Sequence, residues 1–400
     1  MDSSDPSDVE VNQVITRRFE GWTHFHHKSL IDRLHLISIL WVLTVFGTPQ
    51  LTGAFTSKSA PTPLSALAQD SEPFRDAQKS LPPRFQILET RRFIIFSDTD
   101  SGWTRTQADR LERTHHQFLR FTRRLGLDPE PLRHKLVCVL FDRRDDYQAF
   151  ARQHDDVADP WIAGYYSPQH DRIVFYNVKS NPSVTRARIK LGEMRDRVAA
   201  VSRDAKAAAR RGDREIAQSL LELNDQYREH IDHELERVEE FSERVSVATT
   251  IHEAVHMLCF HTRIQSPRVQ YPLWICEGLA TAFETTQPRQ AFGPDFEYPI
   301  RRERFTELLD QNNLLDLKRL VTITGVTLDE DKTDRVYHQS YALLTWMQRF
   351  RKKELAQYFR LMQDEPPGAP TAERHLELFE QAFGDVNRLQ RVWLRHERSQ

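Results

Sequence analysis

The spacing of apolar residues changes several times along the chain, and each change marks a different element. RFQILETRRFIIF (Arg84–Phe96) contains two short runs rich in β-branched and aromatic residues, which predicts two strands. In WTRTQADRLERTHHQFLRFTRRLG (Trp103–Gly126), Leu111, Phe118, Phe121 and Leu125 fall at helical spacing before a closing glycine, so a helix is expected. KLVCVLF (Lys135–Phe141) reads as a buried strand and DDYQAFARQH as a short helix. IAGYYS (Ile162–Ser167) and RIVFYN (Arg172–Asn177), with a turn at Pro168–Asp171 between them, read as a hairpin. The sum is a small sheet with a helix across it.

A different pattern follows. Val184, Ala187, Leu191, Met194, Val198, Val201, Ala205 and Ala208 recur in steps of three and four, a heptad seam. Gly212 interrupts it, and a second seam runs through Ile216, Leu220, Leu223, Tyr227, Ile231, Leu235 and Val238. Residues 184–211 hold nine basic and three acidic side chains, whereas 213–244 hold four basic and eleven acidic. Opposite charge on two arms joined at one glycine predicts an antiparallel helical hairpin over 181–244, inserted between an α/β part at 84–180 and a helical part at 245–396. The alternative is a charged, solvated helix without a partner. No glycine or proline occurs from Asp213 to Ser266, so the second arm is expected to continue with little interruption. The hairpin is also the candidate surface for a protein partner.

Near the N-terminus, the apolar run LHLISILWVLTVF (Leu34–Phe46) follows a polar stretch containing Arg17, Arg18, Lys28 and Arg33. Thirteen residues are short for a membrane span and suit a signal-peptide core. Ala66-Leu67-Ala68 before Gln69 fits the small-x-small rule for cleavage. Residues 1–68 are therefore expected to direct export to a periplasmic or other extracytoplasmic location. An uncleaved membrane anchor through 34–55 is the alternative. Residues 56–83 hold Pro61, Pro63, Pro82 and Pro83 among small polar residues, so 69–83 reads as a linker.

Bulk properties add limits. The 400 residues are 39% hydrophobic and 28% charged, enough for a buried core and a soluble surface. Fifty-six basic and 58 acidic residues leave a net charge of -2, which gives no nucleic-acid footprint. Cys138, Cys259 and Cys276 are too few for a disulfide framework. Cys259 and Cys276 read as small buried residues, with a disulfide between them as the alternative.

The chemistry lies in TTIHEAVHMLCF (Thr249–Phe260). His252 and His256 stand four apart, so a helix presents both imidazoles on one face to one metal ion, with Glu253 beside them to take a proton from water. Val247, Ile251, Val255 and Leu258 are expected to face a core. A bare His-Glu-x-x-His string also arises by chance, so a third ligand decides the class. In the metzincin pattern glycine and histidine follow the second histidine by three and six residues. Cys259 and Thr262 stand there, which excludes it. YPLWICEGLATAFE (Tyr271–Glu284) begins some fifteen residues on. Its Trp274-x-x-Glu277-Gly278-x-Ala280 resembles the second helix of gluzincins. The resemblance implies that Glu277 completes a zinc site with His252 and His256. Two neutral imidazoles and one carboxylate suit Zn²⁺ and leave its fourth position for water.

Residues from about 85 to 395 also resemble a family of exported bacterial proteins of unknown function with a gluzincin-like domain, through Ala163–Tyr166, the zinc motifs, YHQSYALL (Tyr337–Leu344) and the terminal FEQAFG. The insert departs from a minimal domain of that kind. These resemblances imply an α+β, zincin-like fold and a zinc metallopeptidase with one Zn²⁺ per chain. Its substrate would be a peptide or protein, with Glu253 as general base. RIVFYN is the candidate for the edge strand that pairs with extended substrate. Tyr337 is the candidate for stabilising the oxyanion, with Tyr341 one turn on. The rival reading is a catalytically weak or inactive zincin-like scaffold that uses the hairpin for partner binding.

Overall fold

A computed structural model describes residues 71–159, 162–325 and 330–400. The signal or anchor reading of 1–68, with the run 34–55 and the Ala68–Gln69 cleavage point, lies outside the described residues. No described helix is long and apolar enough to cross a membrane. The fold is α+β: among the described residues there are twelve α-helices and one mixed five-stranded sheet.

The strands are β1 (Gln86–Glu89), β2 (Phe93–Ser97), β3 (Leu136–Phe141), β4 (Gly164–Ser167) and β5 (Arg172–Tyr176), in the spatial order β1-β2-β3-β5-β4. β2, β3 and β5 run parallel, and β1 and β4 are antiparallel outer strands. Strand alternation explains the unbroken apolar runs. Phe93, Ile95, Leu136, Cys138, Leu140, Ile173 and Phe175 enter one core, while Ile94, Phe96, Val137, Val139, Phe141, Val174 and Tyr176 enter a second on the opposite face.

Helix α1 (Glu72–Ser80) and α3 (Arg144–His154) serve the second core, α1 through Phe74 and Ala77. Residues 72–80, expected as linker, are therefore structural. Pro73 stands in the first turn, where its missing N–H costs nothing, and the short apolar face is diluted by polar residues in the sequence. Helix α2 (Ser101–Leu125) spans the opposite face, as its spacing predicts. Asp100 caps its N-terminus and Gly126, at φ 82°, ends it.

The described chain divides into two compact units: Val178–Val245, and the residues up to Asn177 together with Ser246–Gln400. The first is the helical hairpin. Helix α4 (Pro182–Arg211) buries all eight expected seam residues and ends at Gly212, with φ 95°. Its partner arm belongs to α5 (Arg214–His261), a helix of 48 residues. The arms are antiparallel: Arg195 pairs with Asp232 at 3.1 Å, Arg188 with Glu239, and Asn224 Nδ2 donates to the Val198 carbonyl at 2.7 Å. The second seam needs correction. Leu220, Ile231 and Val238 are buried, but Ile216, Leu223, Tyr227 and Leu235 are only partly so, and Ala217, Asn224 and Glu234 occupy the interior instead.

In the second unit, the last part of α5 packs with α6 (Leu273–Phe283), α7 (Pro299–Asp310), α8 (Leu317–Leu320), α9 (Glu330–Phe350), α10 (Lys352–Gln363), α11 (Ala372–Phe383) and α12 (Val386–Glu397). Val247, Ile251, Val255 and Leu258 lie in the large core as expected. All three cysteines are free and buried, so no disulfide joins Cys259 to Cys276.

Candidate metal centre

Local polar ties set the height of α5 before its motif. Gln107 of α2 accepts from the Thr250 hydroxyl at 2.8 Å and donates to the Ser246 hydroxyl at 3.0 Å. One turn on, His252, Glu253 and His256 are buried. Helix α6 brings Glu277 opposite them. A Cβ on Gly278 would sit 2.8 Å from the Ser340 carbonyl oxygen, so only glycine allows α6 this close to α9.

His252 Nε2, His256 Nε2 and Glu277 Oε2 form a triangle with sides of 3.1, 3.1 and 3.5 Å. Tetrahedral bonds of about 2.0–2.1 Å place ligand atoms about 3.3–3.4 Å apart, so these three atoms are spaced as one tetrahedral cation requires. The structure thus brings together the three ligand candidates read from the sequence.

The surroundings fix their orientation. Glu284 Oε1 lies 3.0 Å from His252 Nδ1 and accepts its proton, which leaves the Nε2 lone pair turned toward Glu277 and His256. Arg301 of α7 grips both Glu284 oxygens at 2.8 and 2.9 Å. His338 continues the chain: its Nδ1 donates to the Asp334 carbonyl at 2.8 Å and its Nε2 faces Arg301 Nη1 at 3.3 Å. Tyr337 stacks on His252, with ring centroids 6.4 Å apart, and its hydroxyl donates to the Glu277 carboxylate. Tyr337 therefore belongs to the cluster. Tyr341 does not, because its hydroxyl accepts from the Tyr298 amide at the start of α7.

Glu253 is held by one oxygen only. Its Oε2 accepts from the Tyr166 amide of β4 at 2.9 Å, while the buried Oε1 finds no hydrogen-bond partner among the described residues. β4, not the expected RIVFYN strand β5, is thus the outer strand beside the motif helix. β5 is paired on both sides and has no free edge. A Cβ on Gly164 would come within 2.6 Å of Thr249, which shows how closely β4 passes α5.

Charge in the cluster is unbalanced. Burial pushes Glu253 up to about 8, with Glu277 and Glu284 adding and His252 opposing. Burial alone would lower His252, but hydrogen bonds to Glu277 and Glu284, with the nearby Glu253 charge, raise it to about 10. Glu277 moves down to about 2, because its histidine partners outweigh burial. To ligate a metal both imidazoles must be neutral; Glu277 and Glu284 then face Arg301 alone, and one negative charge stands uncompensated beside the neutral Glu253. A divalent cation suits the donor set, offsets that charge and would draw Glu253 toward its ionised form.

Sequence reading missed Glu284, Arg301 and His338. Glu284 follows Glu277 by two helical turns and so shares its face, a signal that was present. Arg301 and His338 gave none.

Residues 246–369 match a family described as a protein of unknown function (DUF1570). The match contains every residue of the cluster from His252 to His338, and neither the sheet nor the hairpin unit. It is narrower than the resemblance read over residues 85–395. No curated protein and no solved structure matches the chain.

Proposed function

We propose that the chain is a gluzincin-type zinc metallopeptidase with one zinc held by His252, His256 and Glu277. The observation that carries this reading is the buried triangle of their donor atoms beside the single unpartnered oxygen of Glu253. The zinc, when bound, supplies a Lewis acid for the scissile carbonyl and makes water more acidic.

The protein's own groups divide the remaining work. Glu253 is oriented through Oε2 by the Tyr166 amide, so Oε1 is the oxygen that takes a proton and later returns it to the leaving amine. Burial raises its pKa, and a nearby dication would draw it toward the ionised range that a base needs. Glu284 keeps His252 in the ligating tautomer, and Arg301 keeps Glu284 ionised. Tyr337 can turn its hydroxyl from Glu277 to a developing oxyanion. The outer strand β4 replaces β5 as the candidate for backbone pairing with extended substrate.

The test is peptide-library cleavage by the purified chain, with metal analysis of the same sample. Glu253→Gln is expected to keep its zinc and lose turnover by several orders of magnitude. Glu277→Ala is expected to lose zinc. Full turnover in Glu253→Gln removes the mechanism, and full zinc occupancy in Glu277→Ala removes the third ligand. A zinc-loaded wild type that cleaves nothing in the library favours the scaffold reading.

A further inference from the structure

We infer that His134, Asp171 and His261 form a second divalent-cation site for zinc or a similar borderline metal, distinct from the His252–His256–Glu277 cluster and independent of any peptidase activity. The three residues come from separate parts of the second unit. His134 stands two residues before β3, Asp171 sits in the β4–β5 turn, and His261 is the last residue of α5. Nothing in their sequence spacing joins them, yet one ligand atom from each lies within 4.8 Å of the others.

His261 Nε2 stands 2.6 Å from Asp171 Oδ1, and His134 Nε2 stands 3.7 Å from Asp171 Oδ2, so each imidazole addresses a different oxygen. The two rings are nearly perpendicular, with centroids 5.2 Å apart. The 2.6 Å contact is a hydrogen-bond distance, shorter than the roughly 3.3 Å between ligands on a tetrahedral ion with bonds near 2.0–2.1 Å, so a bound cation would take the place of its proton and widen it.

Outer contacts orient the donors. His134 Nδ1 lies 3.0 Å from the Lys135 carbonyl. A carbonyl only accepts, so Nδ1 carries a proton, which leaves Nε2, facing Asp171, as the ring's ligating atom. This is the arrangement by which a ligating histidine is usually fixed. Tyr166 donates its hydroxyl to Asp171 Oδ1 at 3.1 Å. Asp171 itself has φ 49°, a left-handed conformation that aspartate tolerates and most residues avoid.

A His261–Asp171 ion pair explains two of these residues. The 3.7 Å between His134 Nε2 and Asp171 Oδ2 is too long for a hydrogen bond, so that pair does not account for His134. One cation satisfies all three. The end of α5 also favours positive charge, since the last carbonyls of a helix carry partial negative charge. The side chains are 13 to 25% exposed, unlike the almost fully buried first cluster, so the fourth position is open to solvent and the ion is exchangeable.

The test counts metal. The full chain is stripped with a chelator, titrated with Zn²⁺ or Co²⁺, and weighed by native mass spectrometry. Wild type is expected to take two cations, the second leaving at least tenfold faster on chelator challenge. His134→Ala and His261→Ala are each expected to take one and to keep the slow one. Asp171→Asn should do the same, while His256→Ala should lose the slow one. His134→Ala removes the most exposed ligand, so it guards against a folding failure in His261→Ala. One cation in wild type, lost in His256→Ala and retained in His134→Ala, overturns the second site and leaves an ion pair only. The reverse pattern keeps the second site and overturns the first.

Discussion

Glu284 does two things with one carboxylate: it accepts the His252 Nδ1 proton and it neutralises the buried Arg301. Glu284→Gln keeps the shape but weakens both, and zinc affinity is expected to fall about 10–100-fold, read by chelator competition. Glu284→Ala also strands a buried guanidinium, a loss of about 3–5 kcal/mol in denaturant melts. Glu112 supplies a pH-dependent case away from the cluster. It accepts from the Thr90 hydroxyl, the Arg92 amide and Arg92 Nη1 at 2.8, 2.7 and 2.7 Å. Burial acts to raise its pKa, yet these donors hold it below the ordinary 4.5. The carboxylate's contribution is therefore full above that value and disappears as pH falls through the lower folded-state pKa. Glu112→Gln is expected to cost roughly 1–2 kcal/mol at pH 7 in urea melts, and the difference from wild type should shrink toward zero in strong acid. His252, Glu253 and His256 were legible because their spacing on one helix is itself the chemical requirement, whereas Glu277 was named through the resemblance carried by Trp274–Ala280. Arg301 was not, since its partner lies across a loop 17 residues away. The convergence of His134, Asp171 and His261 was illegible for the same reason on a larger scale.

At the scale of elements, the strands, α2 and the hairpin follow from the periodicity of the chain, because burial on two faces or along a seam leaves a direct trace. Three readings failed for specific reasons. The α1 segment buries only Phe74 and Ala77, too few residues for its period to show. The sequence of a hairpin cannot tell which of its strands lies outside, so β5 was taken for the edge that β4 occupies. Asn224 and Glu234 enter the interior of the hairpin against the polar-out rule, Asn224 through its bond to the Val198 carbonyl. The α6–α9 contact gives an element-scale expectation. In Gly278→Ala the new methyl meets main-chain atoms of Ser340, which cannot swing aside as a side chain would. The helices should separate slightly, with a stability loss of about 1–3 kcal/mol. Glu277 on α6 and Tyr337 on α9 should part with them. A fall in both melting temperature and zinc affinity checks this, and unchanged affinity would show that the ligand follows α5 instead.

For the whole molecule, the family match begins at Ser246, where the second unit takes up the chain after the hairpin. Both clusters of candidate metal ligands lie in that second unit. Replacing residues 184–241 with a short Gly/Ser linker is therefore expected to leave the number of bound cations unchanged by native mass spectrometry. Loss of metal from that variant would show that the hairpin is required to form the second unit. The cysteines carry a last consequence for the same unit. Cys138 lies in β3, Cys259 in α5 beside the ligands, and Cys276 in α6 next to Glu277, all three buried and uncrosslinked. Burial raises each thiol pKa, and only the thiolate reacts with alkylating reagents. Each sulfur therefore acts as a silent clock that starts only when its surroundings open. Alkylation followed residue by residue would time the opening of sheet, motif helix and ligand helix separately in the unmodified chain, and metal should slow Cys259 and Cys276 far more than Cys138.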